Sequence, residues 1–117
     1  MKIAIPTNDK KHLFKRSGRA EGFLVADVSD TEHAIKDYRL NTHSHHHHHG
    51  HNEESEHGHS HKEIVDALSD CSYLVVNVIG KHFLHDLQTA GIEVFQTDET
   101  TITGAIDDFR KNIVNRA

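Results

Sequence analysis

The sequence predicts a single α/β domain over residues 1–117, with a mixed five-stranded sheet and helices on both faces. Three observations lead to this prediction. Short apolar runs typical of strands occur in both halves of the chain, and apolar residues at helical spacing separate them in the second half. Two early strands are close enough in sequence to pair as an antiparallel hairpin. A strand, a helix and a strand later follow in order, which predicts a parallel, right-handed βαβ unit.

The first three predicted elements are strands. In "MKIAIP" apolar residues alternate along the run, and Pro6 is expected to end the strand. The run "FLVADVS" is almost continuously apolar, which indicates burial on both faces of the sheet. After a turn at "DTEH", the run "AIKDYRLN" is predicted to form the third strand, with an exposed edge.

The second half of the chain alternates between helices and strands. Apolar residues at helical spacing predict helices at 62–70, at 81–90, where Gly91 is a plausible stop, and at 101–114. The most apolar run, "CSYLVVNVIG", predicts a central strand at 73–79, and "IEVFQ" predicts a strand at 92–96. The predicted order is β-β-β, a His-rich loop, then α-β-α-β-α.

Composition limits the class of partner. The chain has 18 acidic and 13 basic residues and a net charge of −5 with histidines neutral. This balance argues against binding to nucleic acid or to an anionic membrane, both of which need excess Lys and Arg. The single cysteine, Cys71, allows no disulfide within the chain and no Cys-based metal site, which fits a reducing cytoplasm. No apolar run reaches membrane-spanning length.

The stretch "HSHHHHHGHNEESEHGHSH", residues 43–61, contains ten histidines. It contains no apolar residue, so we expect a flexible His-rich insert at 42–61 between the third strand and the first helix. Neutral imidazole binds divalent Zn, Ni, Cu and Co well. The candidate metal ligands are His43, His45, His46, His47, His48, His49, His51, His57, His59 and His61.

This stretch has two other interpretations. A purification tag is disfavoured because the run is internal, has only five consecutive histidines and continues among glutamates. A solvated spacer with incidental metal affinity remains an alternative, although Ser, Glu or Gly alone would solvate a spacer equally well.

A second candidate site is predicted where strands end. Ligands of α/β sheets bind beyond the carboxyl ends of strands, which here are followed by "PTNDKKHLFKRSGRA" and "NVIGKHF". A helix beginning near Lys81 offers free N–H groups, and a guanidinium can bind an anion. We therefore expect an anion-accepting cleft. Its predicted residues are Thr7, Asn8, Gly18, Arg19 and Gly80. The alternative is that both glycines only serve turns and that the arginine is solvated.

Several segments together resemble one family. "MKIAIPTND", "SGRAEGFLVADV" and "DCSYLVVNVIGKHFLHDLQTAGIEVFQTDETTITGAI" are similar to the dinitrogenase iron–molybdenum cofactor biosynthesis family of bacteria and archaea. The resemblance covers nearly the whole chain outside the insert. It implies a ribonuclease H-like fold and a small accessory protein that binds an iron–molybdenum-type cluster and passes it to a metalloprotein. Family members commonly carry His-Phe-Gly-Arg where this chain has Arg16-Ser17-Gly18-Arg19.

Enzymatic functions are disfavoured. Nucleases of the implied fold resemble one another in holding two metal ions with carboxylates on central strands. Neither the first nor the fourth strand here contains Asp or Glu, and Asp27 is alone in the second. A lone Cys beside a buried strand is usually a small core residue. We therefore expect a non-enzymatic metal- or metallocluster-binding protein, a monomer or weak dimer. The alternative is an interaction module with a His-rich spacer.

The His-rich stretch predicts metal release on acidification. Unperturbed histidines titrate near pH ~6.5 and lose their metal affinity when protonated. Lowering the pH of the metal-loaded protein from about 7.5 to about 5.5 should therefore release the bound divalent metal, which dialysis with metal analysis would measure. Full retention of the metal at the lower pH would contradict imidazole ligation.

Overall fold

The computed structural model of the protein describes residues 1–41 and 56–115, except for the side chains of residues 56–61. Within these ranges the elements follow the predicted order. The strands are β1 (Lys2–Thr7), β2 (Gly22–Val28), β3 (His33–Leu40), β4 (Tyr73–Val76) and β5 (Glu93–Gln96), and the helices are α1 (Glu56–Ala67), α2 (Lys81–Thr89) and α3 (Ile102–Phe109). A 3-10 turn (Ser17–Arg19) precedes β2, and a π-helical turn (Arg110–Val114) continues α3.

The five strands form one mixed sheet in the order β3-β2-β1-β4-β5. Strand β2 pairs antiparallel with both β1 and β3, whereas β4 pairs parallel with both β1 and β5. The predicted hairpin and the predicted parallel βαβ unit are both confirmed. Because β1, β4 and β5 run in the same direction, their ends at Thr7, Val76 and Gln96 lie along one side of the sheet. We refer to this side as the carboxyl edge.

Two apolar clusters cover the two faces of the sheet, as predicted. The first packs α1 and α2 against one face and includes Ile64, Leu68, Phe83 and Leu87. The second packs α3 against the other face around Phe109, whose ring makes edge-to-face contacts with two other aromatic rings. Strand β2 contributes residues to both clusters, which confirms that its continuous apolar run is buried on both faces.

The first strand extends one residue beyond its predicted end. Pro6 lies within β1, opposite Phe23 of β2, and the strand ends at Thr7. The pairing of β1 with β4 stops at Ala4. The nitrogen of Pro6 faces the β4 side beyond this point, so the missing N–H costs the sheet no hydrogen bond. The carbonyl of Pro6 instead accepts a hydrogen bond from the N–H of Phe14 at 2.9 Å.

The boundary of the predicted insert requires a correction. The first helix was predicted at 62–70 and the insert at 42–61, but α1 begins at Glu56 and ends at Ala67. Burial of Ile64, and of Leu68 just after the helix, fixes the second half of α1, and extending a formed helix costs far less than nucleating one. Residues 42–55 of the predicted insert lie outside the described residues.

Two elements in the second half are shorter than predicted. Strand β4 ends at Val76 rather than at 79. The side-chain amide of the next residue, Asn77, donates 2.9 Å hydrogen bonds to the carbonyls of Thr97 and Glu99. The α-helical part of the predicted helix 101–114 ends at Phe109, and the chain continues as the π-helical turn. The other predicted boundaries agree within one residue.

Strand β3 is an exposed edge, as predicted. Most of its residues are exposed, and Ile35 and Leu40 are 50% and 57% accessible. The register with β2 shifts between Val25 and Ala26, and irregularities of this kind discourage pairing between edge strands. The oligomeric state remains a prediction.

A tyrosine packed on a glycine joins β3 to the end of β1. The ring of Tyr38 covers Gly22, so that a β-carbon on this glycine would lie 2.4 Å from a ring carbon. The Tyr38 hydroxyl donates a 2.9 Å hydrogen bond to the carbonyl of Thr7. Glycine at position 22 therefore leaves room for Tyr38 of β3 to reach the end of β1.

Gly22→Ala should destabilise the domain by about 1–3 kcal/mol, because the new methyl group would displace the Tyr38 ring. Urea unfolding followed by circular dichroism would measure the loss. Gly80→Ala is the matched control. Gly80 has an extended backbone (φ −75°, ψ 151°) and open space where a β-carbon would lie, so the free energy of unfolding of this variant should change little. Equal stability of the two variants would contradict the packing described.

Candidate functional site

The turn that follows β1 is closed by the buried side chain of Thr7. Its hydroxyl accepts a hydrogen bond from the N–H of Lys10 at 2.9 Å and donates to the carbonyl of His12 at 2.5 Å. Its carbonyl accepts the bond from Tyr38. The predicted site residue Thr7 thus holds the loop in shape, and its hydroxyl proton is already engaged within the protein.

Lys10 adopts a conformation that is unusual for a residue with a side chain. Its φ is +65°, in the left-handed region, which costs roughly 1–2 kcal/mol for a residue other than glycine. The surrounding turn holds it there, because Asp9 Oδ1 accepts 2.8 Å hydrogen bonds from the N–H groups of Lys11 and His12. The Lys10 ammonium also lies 4.7 Å from the centre of the Tyr38 ring.

The other oxygen of Asp9 contacts the imidazole of His12. Asp9 Oδ2 lies 2.8 Å from His12 Nδ1, and the two side chains are 52% and 59% exposed. This side-chain hydrogen bond is the main cause that lowers the pKa of Asp9 well below its usual range, and the N–H groups of His12 and Lys11 lower the pKa further. The Asp9 carboxylate is therefore ionised at neutral pH.

The segment that carries Gly18 packs against the entrance to α2. Arg16 pairs with Val78 in a parallel bridge, and Ser17, which is buried, donates a 2.8 Å hydrogen bond to the Val78 carbonyl. A β-carbon on Gly18 would lie 3.7 Å from the Phe83 ring, an ordinary contact distance. The structure thus places the segment of Gly18 and Arg19 beside the segment that contains Gly80.

Two asparagines fix the ends of this loop. Asn8 Oδ1 accepts a 2.8 Å hydrogen bond from the N–H of Glu21, so the predicted site residue Asn8 joins the beginning of the loop to its end. Buried Asn41 donates through its amide to the carbonyls of Gly18 and Ala20 at 3.2 and 3.0 Å. Asn41 is the last residue described before the His-rich stretch, and these bonds place it at the carboxyl edge.

The sequence interpretation missed Ser17 and Asn41. Both are buried polar residues whose hydrogen bonds go to main-chain carbonyls distant in sequence. The only local signal was their place next to a glycine or at the end of a predicted strand, and polar residues are common at such places.

The first turn of α2 has no negative side chain of its own. Gly80 provides no side-chain cap, the first turn contains no acidic residue, and Lys81 adds a positive charge. A helix N-terminus favours negative charge, so a lysine there is unfavourable unless an anion is near. Gly80 has an extended backbone and open space, so neither a tight turn nor steric crowding requires glycine there.

The loop between β1 and β2 is strongly basic. Residues 8–19 contain five Lys or Arg residues and one acidic residue, Asp9, whose carboxylate is engaged by the turn. All five basic residues are exposed. The guanidinium of Arg19 makes no hydrogen bond or ion pair within the part of the chain that the structure describes. This loop therefore presents positive charge on a chain whose net charge is −5, whereas the loop after β5 at the same edge carries the exposed Asp98 and Glu99.

The described residues contain no cluster of metal ligands. Within the described ranges, no group of three or more His, Cys, Asp or Glu residues is placed to hold a metal. Of the ten predicted histidine ligands, seven (His43 to His51) lie outside the described residues, and the side chains of His57, His59 and His61 on α1 are also not described. Metal binding by these histidines remains a prediction.

Two candidates that the sequence disfavoured are placed away from this edge. Cys71 is buried in the first apolar cluster near the start of β4, and burial, with the charge of Asp70, raises the pKa of its thiol to about 11. Asp27 is exposed and accepts a 3.0 Å hydrogen bond from the amino group of Met1.

Across the described residues, no helix is both long and apolar enough to span a membrane.

Comparison with known proteins identifies a family match. A family model described as "Dinitrogenase iron-molybdenum cofactor" matches residues 1–112. No curated protein matches the chain. Among solved structures, the apo form of the orange protein from Desulfovibrio gigas has 26% identity and a TM-score of 0.72, over 99% of this chain and 92% of that chain.

Two more distant structures share the fold. A candidate dinitrogenase from Methanocaldococcus jannaschii has 18% identity and a TM-score of 0.63, over 100% of this chain and 94% of that chain. A candidate NifB protein from Thermotoga has 21% identity and a TM-score of 0.60, over 95% of this chain and 88% of that chain.

Proposed function

This chain belongs to the dinitrogenase iron–molybdenum cofactor family, and from that premise we propose that it is a non-enzymatic accessory protein that carries a metallocluster of the iron–molybdenum type. The cluster is its cargo. The proposed binding surface is the carboxyl edge, formed by the loop of residues 8–19 and the first turn of α2.

The observation that carries this proposal is a local concentration of positive charge that has no ion-pair partner among the described residues. Five exposed basic residues lie in a loop of twelve, beside a helix N-terminus with no acidic residue or side-chain cap, on an otherwise acidic protein. Such a surface attracts anions and repels cations. A metal–sulfur cluster with a net negative charge matches this surface, whereas a free divalent cation does not.

Individual residues have different proposed roles. Arg19 would donate hydrogen bonds to the anion through its guanidinium. The N–H groups of Gly80 and of the first turn of α2 would face the anion from the helix. Gly18 lies beside the Phe83 ring, while Thr7 and Asn8 keep the loop closed. The Arg16-Ser17 pair places a buried hydroxyl on the Val78 carbonyl where the family commonly carries His-Phe.

Further parts of the proposal follow from the family. The strand order β3-β2-β1-β4-β5, with helices on both faces, supports assignment to the ribonuclease H-like class. A carrier needs a recipient, which we propose to be a metalloprotein, and we propose that transfer takes place in the cytoplasm between a recipient and a monomer or weak dimer of this chain.

Reversing the charge of the loop should weaken cluster binding. Isolated iron–molybdenum cofactor would be mixed anaerobically with the protein at low ionic strength, and molybdenum and iron would be measured in the protein fraction after gel filtration. Arg19→Glu should bind at least about tenfold more weakly, because one attraction is replaced by a repulsion within hydrogen-bonding reach.

The matched control for this experiment is Lys36→Glu. Lys36 is equally exposed but lies on the edge strand β3, so its reversal should leave the affinity nearly unchanged. Failure of the wild-type protein to retain the cofactor would overturn the proposed function. Equal losses in both variants would show that only the net charge matters, not the carboxyl edge.

A second candidate function concerns the His-rich stretch. Ten histidines between residues 43 and 61 favour binding of divalent Zn, Ni, Cu or Co, with low selectivity because no ligand spacing is enforced. The protein would then buffer or deliver metal ions. The alternative remains an interaction module in which this stretch is a solvated spacer with incidental affinity.

Elemental analysis distinguishes these alternatives. The untagged protein, purified without immobilised metal, would be compared with a variant in which all ten histidines are replaced by glutamine. Substitution is preferable to deletion of 43–61, which would remove the first six residues of α1. Divalent metal in the wild-type protein alone would support the His-rich site. Molybdenum and iron in both would support the carboxyl edge, and metal in neither would favour the spacer.

A further inference from the structure

The Asp9–His12 pair leaves one imidazole nitrogen facing solvent. Nδ1 of His12 lies 2.8 Å from Asp9 Oδ2, and the two nitrogens lie on opposite sides of the ring, so Nε2 is directed away from the carboxylate. The side chain is 59% exposed, and the ring makes no other hydrogen bond or ion pair within the described residues. An unengaged imidazole nitrogen is thus presented at the carboxyl edge.

The carboxylate also sets which nitrogen carries the proton. Asp9 can only accept at this contact, so neutral His12 must donate from Nδ1, and the lone pair is then on Nε2. Histidines that bind metals usually donate their other ring N–H to a carboxylate or a carbonyl, which fixes the tautomer and the ring orientation. The Asp9–His12 pair already has this arrangement.

The backbone around His12 is held on both sides. The N–H of Ile102 donates to the carbonyl of Lys11 at 2.8 Å, and the N–H of Leu13 donates to the carbonyl of Thr100 at 2.9 Å. His12 itself pairs with Thr101 in an antiparallel bridge, and its carbonyl accepts the Thr7 hydroxyl. The main chain at His12 therefore loses little further entropy when the side chain binds a ligand.

A simple surface ion pair does not account for this turn. Exposed pairs contribute about 0–1 kcal/mol, and the left-handed conformation of Lys10 costs roughly 1–2 kcal/mol, which the hydrogen bonds from the main chain to Thr7 and Asp9 offset. A strained turn maintained around an exposed, oriented histidine is typical of a functional position.

We propose that His12 Nε2 binds one metal of the cluster carried at the carboxyl edge, and that Asp9 is the residue that positions its ring. The inference rests on the proposed function. The basic residues of the loop and of α2 would balance the charge of the cluster, and His12 would supply the directional bond that fixes its orientation. Cluster release would then require only this one coordinate bond from the described part of the chain to break.

The first test is the tautomer of His12 in the protein without ligand. Long-range ¹H–¹⁵N NMR at about pH 8, with the His12 signals assigned by their loss in His12→Gln, should show the proton on Nδ1. In Asp9→Ala the proton should move largely to Nε2, the form that an unconstrained imidazole favours. A proton on Nε2 in the wild-type protein would overturn the proposal.

The second test is binding of isolated iron–molybdenum cofactor to the full chain. His12→Gln should weaken binding by more than about tenfold, and Asp9→Ala by about tenfold, the order expected for loss of a supporting carboxylate. His33→Gln, which changes an exposed histidine of β3 paired with Val28 at the opposite end of the sheet, should bind like the wild-type protein. Thermal unfolding would confirm that each variant is folded.

A spectroscopic readout separates ligation from a structural role. Pulsed EPR of the bound cofactor should show imidazole ¹⁴N modulation in the wild-type protein and in His33→Gln, and the modulation should be absent in His12→Gln. Cofactor that binds with unchanged ¹⁴N modulation in His12→Gln would overturn this inference while leaving the proposed function standing. No retention by the wild-type protein would overturn both.

Discussion

The conformation of the turn at the carboxyl edge depends on the two hydrogen bonds of the Thr7 hydroxyl. This hydroxyl is buried at the end of the central strand, where it accepts from the N–H of Lys10 and donates to the carbonyl of His12. Without it the turn would lose both bonds, and the N–H of Lys10 and the carbonyl of His12 would need new partners. The orientation of Asp9, the strained backbone of Lys10 and the position of His12 all follow from this closure. The same residue receives Tyr38 through its carbonyl, so the edge strand is connected to the turn as well.

Charge is divided unevenly between the body of the domain and this edge. The chain is acidic overall, yet its β1–β2 loop is basic and packs beside an uncapped helix N-terminus. In the proposed function this division has two effects. It draws an anionic cluster to one place on the surface, and it leaves the rest of the protein unattractive to the same ligand. Binding through charge, hydrogen bonds and a single imidazole also suits a carrier better than a permanent cage would, because few bonds must break at transfer.

Much of the fold was predictable because it depends on periodicity. The continuous apolar run of β2 and the helical spacing of apolar residues in α2 are local patterns, and both elements were predicted to within a residue or two. The start of α1 was not predictable, because residues 56–61 carry no apolar periodicity and their helical backbone extends from the packed half around Ile64 and Leu68. The strand end predicted at Pro6 was wrong by one residue, because tolerance of a proline depends on where a neighbouring strand stops pairing, which the sequence does not state.

The candidate site was predictable only as a list of loops. By itself the sequence determined the residue types, the basic composition of residues 8–19, the ten histidines and the resemblance to the family, because these are properties of composition and order. The tertiary structure decided that Thr7 closes the turn, that Ser17 and Asn41 bind the loop to Val78 and to the end of β3, and that Asp9 contacts His12. These outcomes rest on the geometry of hydrogen bonds, several of them between residues 20 or more positions apart. Such geometry exists only once the parallel pairing of β1 with β4 has brought the strand ends to one side of the sheet.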